Sequence, residues 1–61
     1  MDTFFYIVAE LDGDRRFLNK NMGYDTDFEN VMRFPDKEMA ATFLQRRNLQ
    51  AKNHRIMRAS T

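Results

Sequence analysis

The only imidazole in the chain is His54, and two short runs concentrate its carboxylates: "DGD" at 12–14 and "DTDFE" at 25–29. A histidine acting as a general base needs a nucleophile within hydrogen-bond reach and a carboxylate to orient it, and no motif supplies either. His54 therefore reads as a solvated residue opening a strand. Alternating carboxylates resemble a calcium loop, but these runs lack the turn glycine and the distal glutamate of an EF-hand. "DGD" has the chemistry of a hairpin turn, and "TDFE" (Thr26 to Glu29) has the spacing of a capping box. Gathered on one edge, the acids would offer a surface that mimics phosphate or meets a basic groove. With no cysteine in the sequence, zinc lacks its preferred soft ligands and no disulfide can form. No catalysis, no metal and no cofactor is expected.

The basic residues carry the stronger signal. Residues 1–45 hold Arg15, Arg16, Lys20, Arg33 and Lys37 against all nine acids, a balance of −4, whereas residues 46–61 hold Arg46, Arg47, Lys52, Arg55 and Arg58 and no acid. A net charge of +1 thus hides a basic third on an acidic body, a pattern that suits polyanions or an acidic protein. Arg46 and Arg47 have a structural use at a helix C-terminus, where a cation contributes about 0.3–1 kcal/mol. Lys52, Arg55 and Arg58 have none. Contact between this set and nucleic-acid phosphates is the alternative reading, weakened by the lack of any aromatic in the same third for base stacking.

The elements that position these groups are legible in outline. "TFFYIVAEL" (3–11) reads as a strand, followed by Asp12-Gly13, the preferred pair for a two-residue type I′ turn. In that register Leu11 faces Asp14, Glu10 faces Arg15, Val8 faces Phe17 and Ile7 faces Leu18; a three-residue loop, the alternative, would shift the pairing by one. Residues 19–30 are polar, with one helical turn after Thr26 that pins Phe28 inward. "NVMRF" (30–34) reads as a third strand, stopped by Pro35. Asp36 caps a helix in which Met39, Ala40, Phe43 and Leu44 form one apolar stripe. Asn48 suits the left-handed position after the helix, with Leu49 folding back on it. "HRIMR" (54–58) is the last strand, anchored by Ile56, and Ala59 to Thr61 fray. The fold class is α+β: one domain, residues 1–61, in which a small antiparallel sheet (hairpin, strand, helix, strand) carries one helix on one face.

That architecture leaves a question of coverage. Alternation puts Phe5, Ile7 and Leu18 on one face and Tyr6, Val8 and Phe17 on the other. One helix covers one face. An aromatic cluster on the second, rimmed by Glu10, Arg15 and Arg33, has the anatomy of an interaction surface, and tyrosine supplies the polar handle common there. The expected partner-binding residues are Tyr6, Val8, Phe17, Arg15 and Arg33. A chain of 61 residues buries only ~60% of its unfolded surface, so pairing into a homodimer is a second way to seal that face. No apolar run reaches the ~20 residues of a membrane span, so no membrane partner is expected and the chain should stay in the cytoplasm.

The segment "VMRFPDKEMAATFL" (31–44) brings a family resemblance. With the hairpin before it and the strand after it, it resembles small phage- and prophage-encoded accessory proteins. The match lies in Arg33-Phe34, Asp36 at the cap, Glu38, Ala40 and the pair Gly23-Tyr24; Val31 departs from it, standing where those proteins usually have alanine. The resemblance covers most of the chain through residues that form the fold. It implies a non-catalytic factor, acting in the host-cell cytoplasm, that binds a host protein such as a polymerase, nuclease or defence complex and inhibits or redirects it. That function would make it an agent of host takeover or anti-defence.

Overall fold

A computed structural model describes residues 2–47 and 53–60. The first strand, β1 (Thr3–Leu11), turns through Asp12 and Gly13 into β2 (Asp14–Leu18). Both turn residues have positive φ, 53° and 84°, which is what a type I′ turn requires and why Asp-Gly suits it. The ladder pairs Leu11 with Asp14, Glu10 with Arg15 and Val8 with Phe17, as expected, but ends there. Leu18 instead uses its carbonyl to accept the amide of Met32 at 2.9 Å.

The third strand is not where the sequence pattern put it. β3 is the two-residue piece Tyr24–Asp25, which pairs with Phe17 and Leu18. Residues 31–34 make only two isolated bridges, Asn19 with Val31 and Phe5 with Phe34. The cause is a change of partner within four residues. At its start the segment bonds to the chain leaving β2, while Phe34 exchanges two bonds with Phe5 of β1, at 2.9 and 2.8 Å. No continuous ladder forms across such a switch.

The helical turn is also displaced. It is a 3₁₀ turn over Phe28–Asn30, capped by Asp27, whose side chain accepts the Glu29 amide; Thr26 is not the cap. The main helix α1 (Lys37–Arg46) begins as expected, with Asp36 Oδ1 accepting the Met39 amide at 2.8 Å. Its buried residues are Ala40 and Leu44. Phe43 is half-buried against Phe34, but Met39 is 52% exposed and drops out of the expected stripe. The helix ends at Arg47, and the roles expected for Asn48 and Leu49 fall outside the described residues.

The last strand, β4 (His54–Ser60), runs two residues further than expected, because Ala59 and Ser60 pair with Phe4 and Thr3 rather than fraying. The sheet order is β3-β2-β1-β4. On its helix side, Ile7, Leu18, Phe34, Ala40 and Leu44 form the core cluster, with Phe5, Tyr24, Met32, Phe43 and Ile56 packed around it. The fold is therefore α+β, a four-stranded antiparallel sheet with one helix on one face.

Candidate functional site

The second face of the sheet is neither bare nor sealed. Phe4 and Val8 are buried there, although no helix lies over them. The cover comes from Phe28. The 3₁₀ turn swings this ring onto the sheet, with its centroid 4.9 Å from that of Tyr6 and 5.2 Å from that of Phe17, both edge-on. Tyr6 and Phe17 meet edge-on as well, at 5.7 Å. Edge-to-face contacts of this kind add about 0.5–1.5 kcal/mol per pair beyond burial. Phe28 stays 37% exposed, so it lids one end of the face instead of entering the core. Arg33 closes the same end, its guanidinium carbon 4.7 Å above the Phe4 ring.

At the other end a shallow groove of about 160 Å³ remains, lined by Tyr6, Val8, Arg15, Phe17, Arg55 and Met57. An apolar cavity of about that size takes up a single benzene ring. Its floor is aromatic and aliphatic, and its rim is charged. One carboxylate oxygen of Glu10 lies 4.0 Å from the Arg15 guanidinium and 3.7 Å from that of Arg55. Both exceed the ~2.7–2.9 Å of a charge-assisted hydrogen bond, and both arginine side chains are more than half exposed. Two guanidiniums sharing one carboxylate leave the rim with an excess of positive charge.

Of the five expected partner-binding residues, the structure brings Tyr6, Val8, Phe17 and Arg15 together in this groove, while Arg33 sits apart above Phe4. Sequence reasoning missed Met57 and placed Arg55 in a different set. The signal was present: with Ile56 facing the helix, alternation turns Arg55 and Met57 to the opposite face. What the sequence did not reveal is that β4 lies against β1, with Val8 opposite Arg55 and Tyr6 opposite Met57.

The basic C-terminal set is dispersed. Arg46 and Arg47 lie at the end of α1, and the Arg47 guanidinium carbon lies 5.4 Å from the Phe43 ring centroid. Arg58, the register partner of Phe5, belongs to the helix side of the sheet, opposite to Arg55. Lys52 falls outside the described residues.

The acidic runs perform local work. Asp25 Oδ1 accepts the Asp27 amide and Asp27 Oδ1 the Glu29 amide, both at 3.0 Å. The Asp27 amide bond, with help from Asn30, the Thr26 amide and the charge of Arg16 and against a smaller opposing effect of burial, holds the Asp25 carboxyl below the usual aspartate value. No three potential metal ligands converge among the described residues. His54 is not the solvated residue expected: it is half-buried, and its Nε2 lies 2.7 Å from the Tyr24 hydroxyl. Among the described residues no helix is long and apolar enough to cross a membrane. Compared with known proteins, the chain matches no family model, no curated protein and no solved structure.

Proposed function

We propose that the protein is a non-catalytic binding protein of the phage accessory type, which docks on a host protein through the groove and inhibits or redirects that protein's activity. The observation that carries the docking is the groove itself. It is a ring-sized apolar depression on a sheet face, with two exposed arginines at its rim, and it has the apolar centre and polar margin of a recognition site. The host setting rests on the resemblance carried by residues 31–44.

A second reading has one observation in its favour. β4 brings Arg55 into the same groove as the Tyr6 and Phe17 rings, a combination of cation and aromatics of the kind used by single-strand nucleic-acid platforms. Against it, Asp25 is the register partner of Phe17, which sets a carboxylate beside the ring on which a base would stack.

The test uses immobilised protein and bacterial host lysate, with and without nuclease treatment. A protein retained in both halves, and lost with Tyr6→Ser/Phe17→Ser, is the expected result. Because that pair also loosens the aromatic cluster, Arg15→Glu, at an exposed position, provides a second variant that should lose the same capture with the helical circular dichroism intact. Undiminished capture by both variants rejects the surface. Capture that disappears with nuclease moves the function to nucleic acid.

A further inference from the structure

The groove is bordered on one side by an edge strand. β4 is the last strand of the sheet, and no strand pairs with its outer side among the described residues. Such an edge presents unpaired N–H and C=O groups and is a template for another extended chain. Its residues, "HRIMRAS", include two arginines and no acid. Arg55 and Met57 face the groove, and Arg58 faces the helix side.

Charge selects among the chains that would fit. A second copy pairing through β4 would set one basic strand against another, and like charges across a pair are destabilising. Arginine on an exposed edge is one of the devices that discourage self-pairing. An acidic strand meets the opposite situation: among the described residues, the carboxylate paired with Arg55 is that of Glu10, which it shares with Arg15.

We propose that the outer edge of β4 takes up an extended acidic segment of a partner protein as an additional antiparallel strand. The proposal rests on the reading of the groove as a protein-docking site and names the kind of segment it takes. Antiparallel pairing fixes the order of its side chains. The residue beside Arg58 comes first, then the one beside Met57, and the one beside Arg55 two positions after that. The matching sequence is acidic, apolar, any, acidic. Its two carboxylates meet Arg58 on one face and Arg55 on the other, while the apolar side chain leans over Met57 into the groove. Main-chain bonds supply affinity along the edge, and the alternating side chains supply specificity.

The experiment is an NMR titration of the ¹⁵N-labelled chain, to millimolar peptide, with a threonine-rich octapeptide carrying Glu-Phe-Thr-Glu at its centre. Two comparisons run beside it: the same peptide with both glutamates replaced by lysine, and a decathymidylate single strand. The acidic peptide should shift the amide signals of His54–Ser60 and bind at least tenfold more tightly than the lysine peptide, and the double variant Arg55→Glu/Arg58→Glu should invert that order. Equal response to the two peptides, no response at millimolar concentration, or no inversion overturns the proposal. So does tighter binding of decathymidylate to the same face. If Tyr6→Ser/Phe17→Ser and Arg15→Glu abolish nuclease-resistant capture from lysate while Arg55→Glu leaves it unchanged, the groove stands as a docking site and the added strand does not.

Discussion

Among the described residues, three non-glycine positions hold positive φ: Asp12, Met22 and Asn53, at 53°, 66° and 58°. Asp and Asn tolerate the left-handed region because their short polar side chains bond locally, whereas an ordinary side chain there costs about 1–2 kcal/mol. Met22 is the one that bears this cost. It is held there by a loop organised around Asn19, whose Oδ1 accepts the amides of Asn21 and Gly23 at 3.0 and 2.8 Å, and whose carbonyl accepts the Met22 amide. Met22 is also an exposed apolar residue, so its side chain contributes little packing in return. Met22→Gly should raise stability by roughly 1 kcal/mol, less the added chain entropy of glycine in the unfolded state. A urea titration should show a higher midpoint with an unchanged slope. At this scale the sequence was informative where one residue type has one use: Asp12-Gly13 as a turn and Asp36 as a cap. It misplaced His54 as a solvated residue, because the Tyr24 hydroxyl that engages it comes from across the sheet, and spacing along the chain says nothing of such a partner.

Among the elements, the hairpin, α1 and β4 were legible because each follows from local periodicity and local punctuation. The error over residues 31–34 has a physical source. "VMRF" has the alternation of a strand, but alternation reports exposure of side chains and not whether a single neighbour runs alongside. Val31 and Phe34 are both buried, but three residues apart they cannot share one face of a strand, and they are docked on different partners. The 3₁₀ turn is the element with the greatest consequence for the site. Reading Thr26 as its cap still identified a turn, but the shift to Asp27 goes with a Phe28 ring laid on the open sheet face. Phe28→Ala should remove its contacts with Tyr6, Phe17 and Phe4. A loss of about 1–2 kcal/mol is expected, below the 3–5 of a fully buried phenylalanine because this ring is partly exposed. Urea denaturation gives the stability. The near-ultraviolet dichroism of Tyr6 should weaken while the far-ultraviolet helical signal persists.

At the scale of the whole molecule, a domain of this length has a stability of roughly 3–9 kcal/mol, and one contact can decide whether it folds. Leu44 is the buried side chain through which α1 holds the sheet, together with Ala40. Leu44→Ala should cost about 2–5 kcal/mol, a large part of the total, and thermal melting followed by circular dichroism should show the midpoint falling to near or below room temperature. The same sheet order sets a sequence of events in time. β1 and β2 meet across a two-residue turn, and a hairpin of that kind closes in about 1–10 μs. β1 and β4 must bring Thr3 against Ser60, a closure spanning nearly the whole chain, and contacts so distant along the chain form slowly. The groove draws one wall from β2 and another from β4. It therefore comes into being only when the slow closure is complete, and any ligand seated in it grips the finished sheet alone. By mass action such a ligand would clasp the two ends of the chain together. Docking and the survival of the fold thus become a single equilibrium.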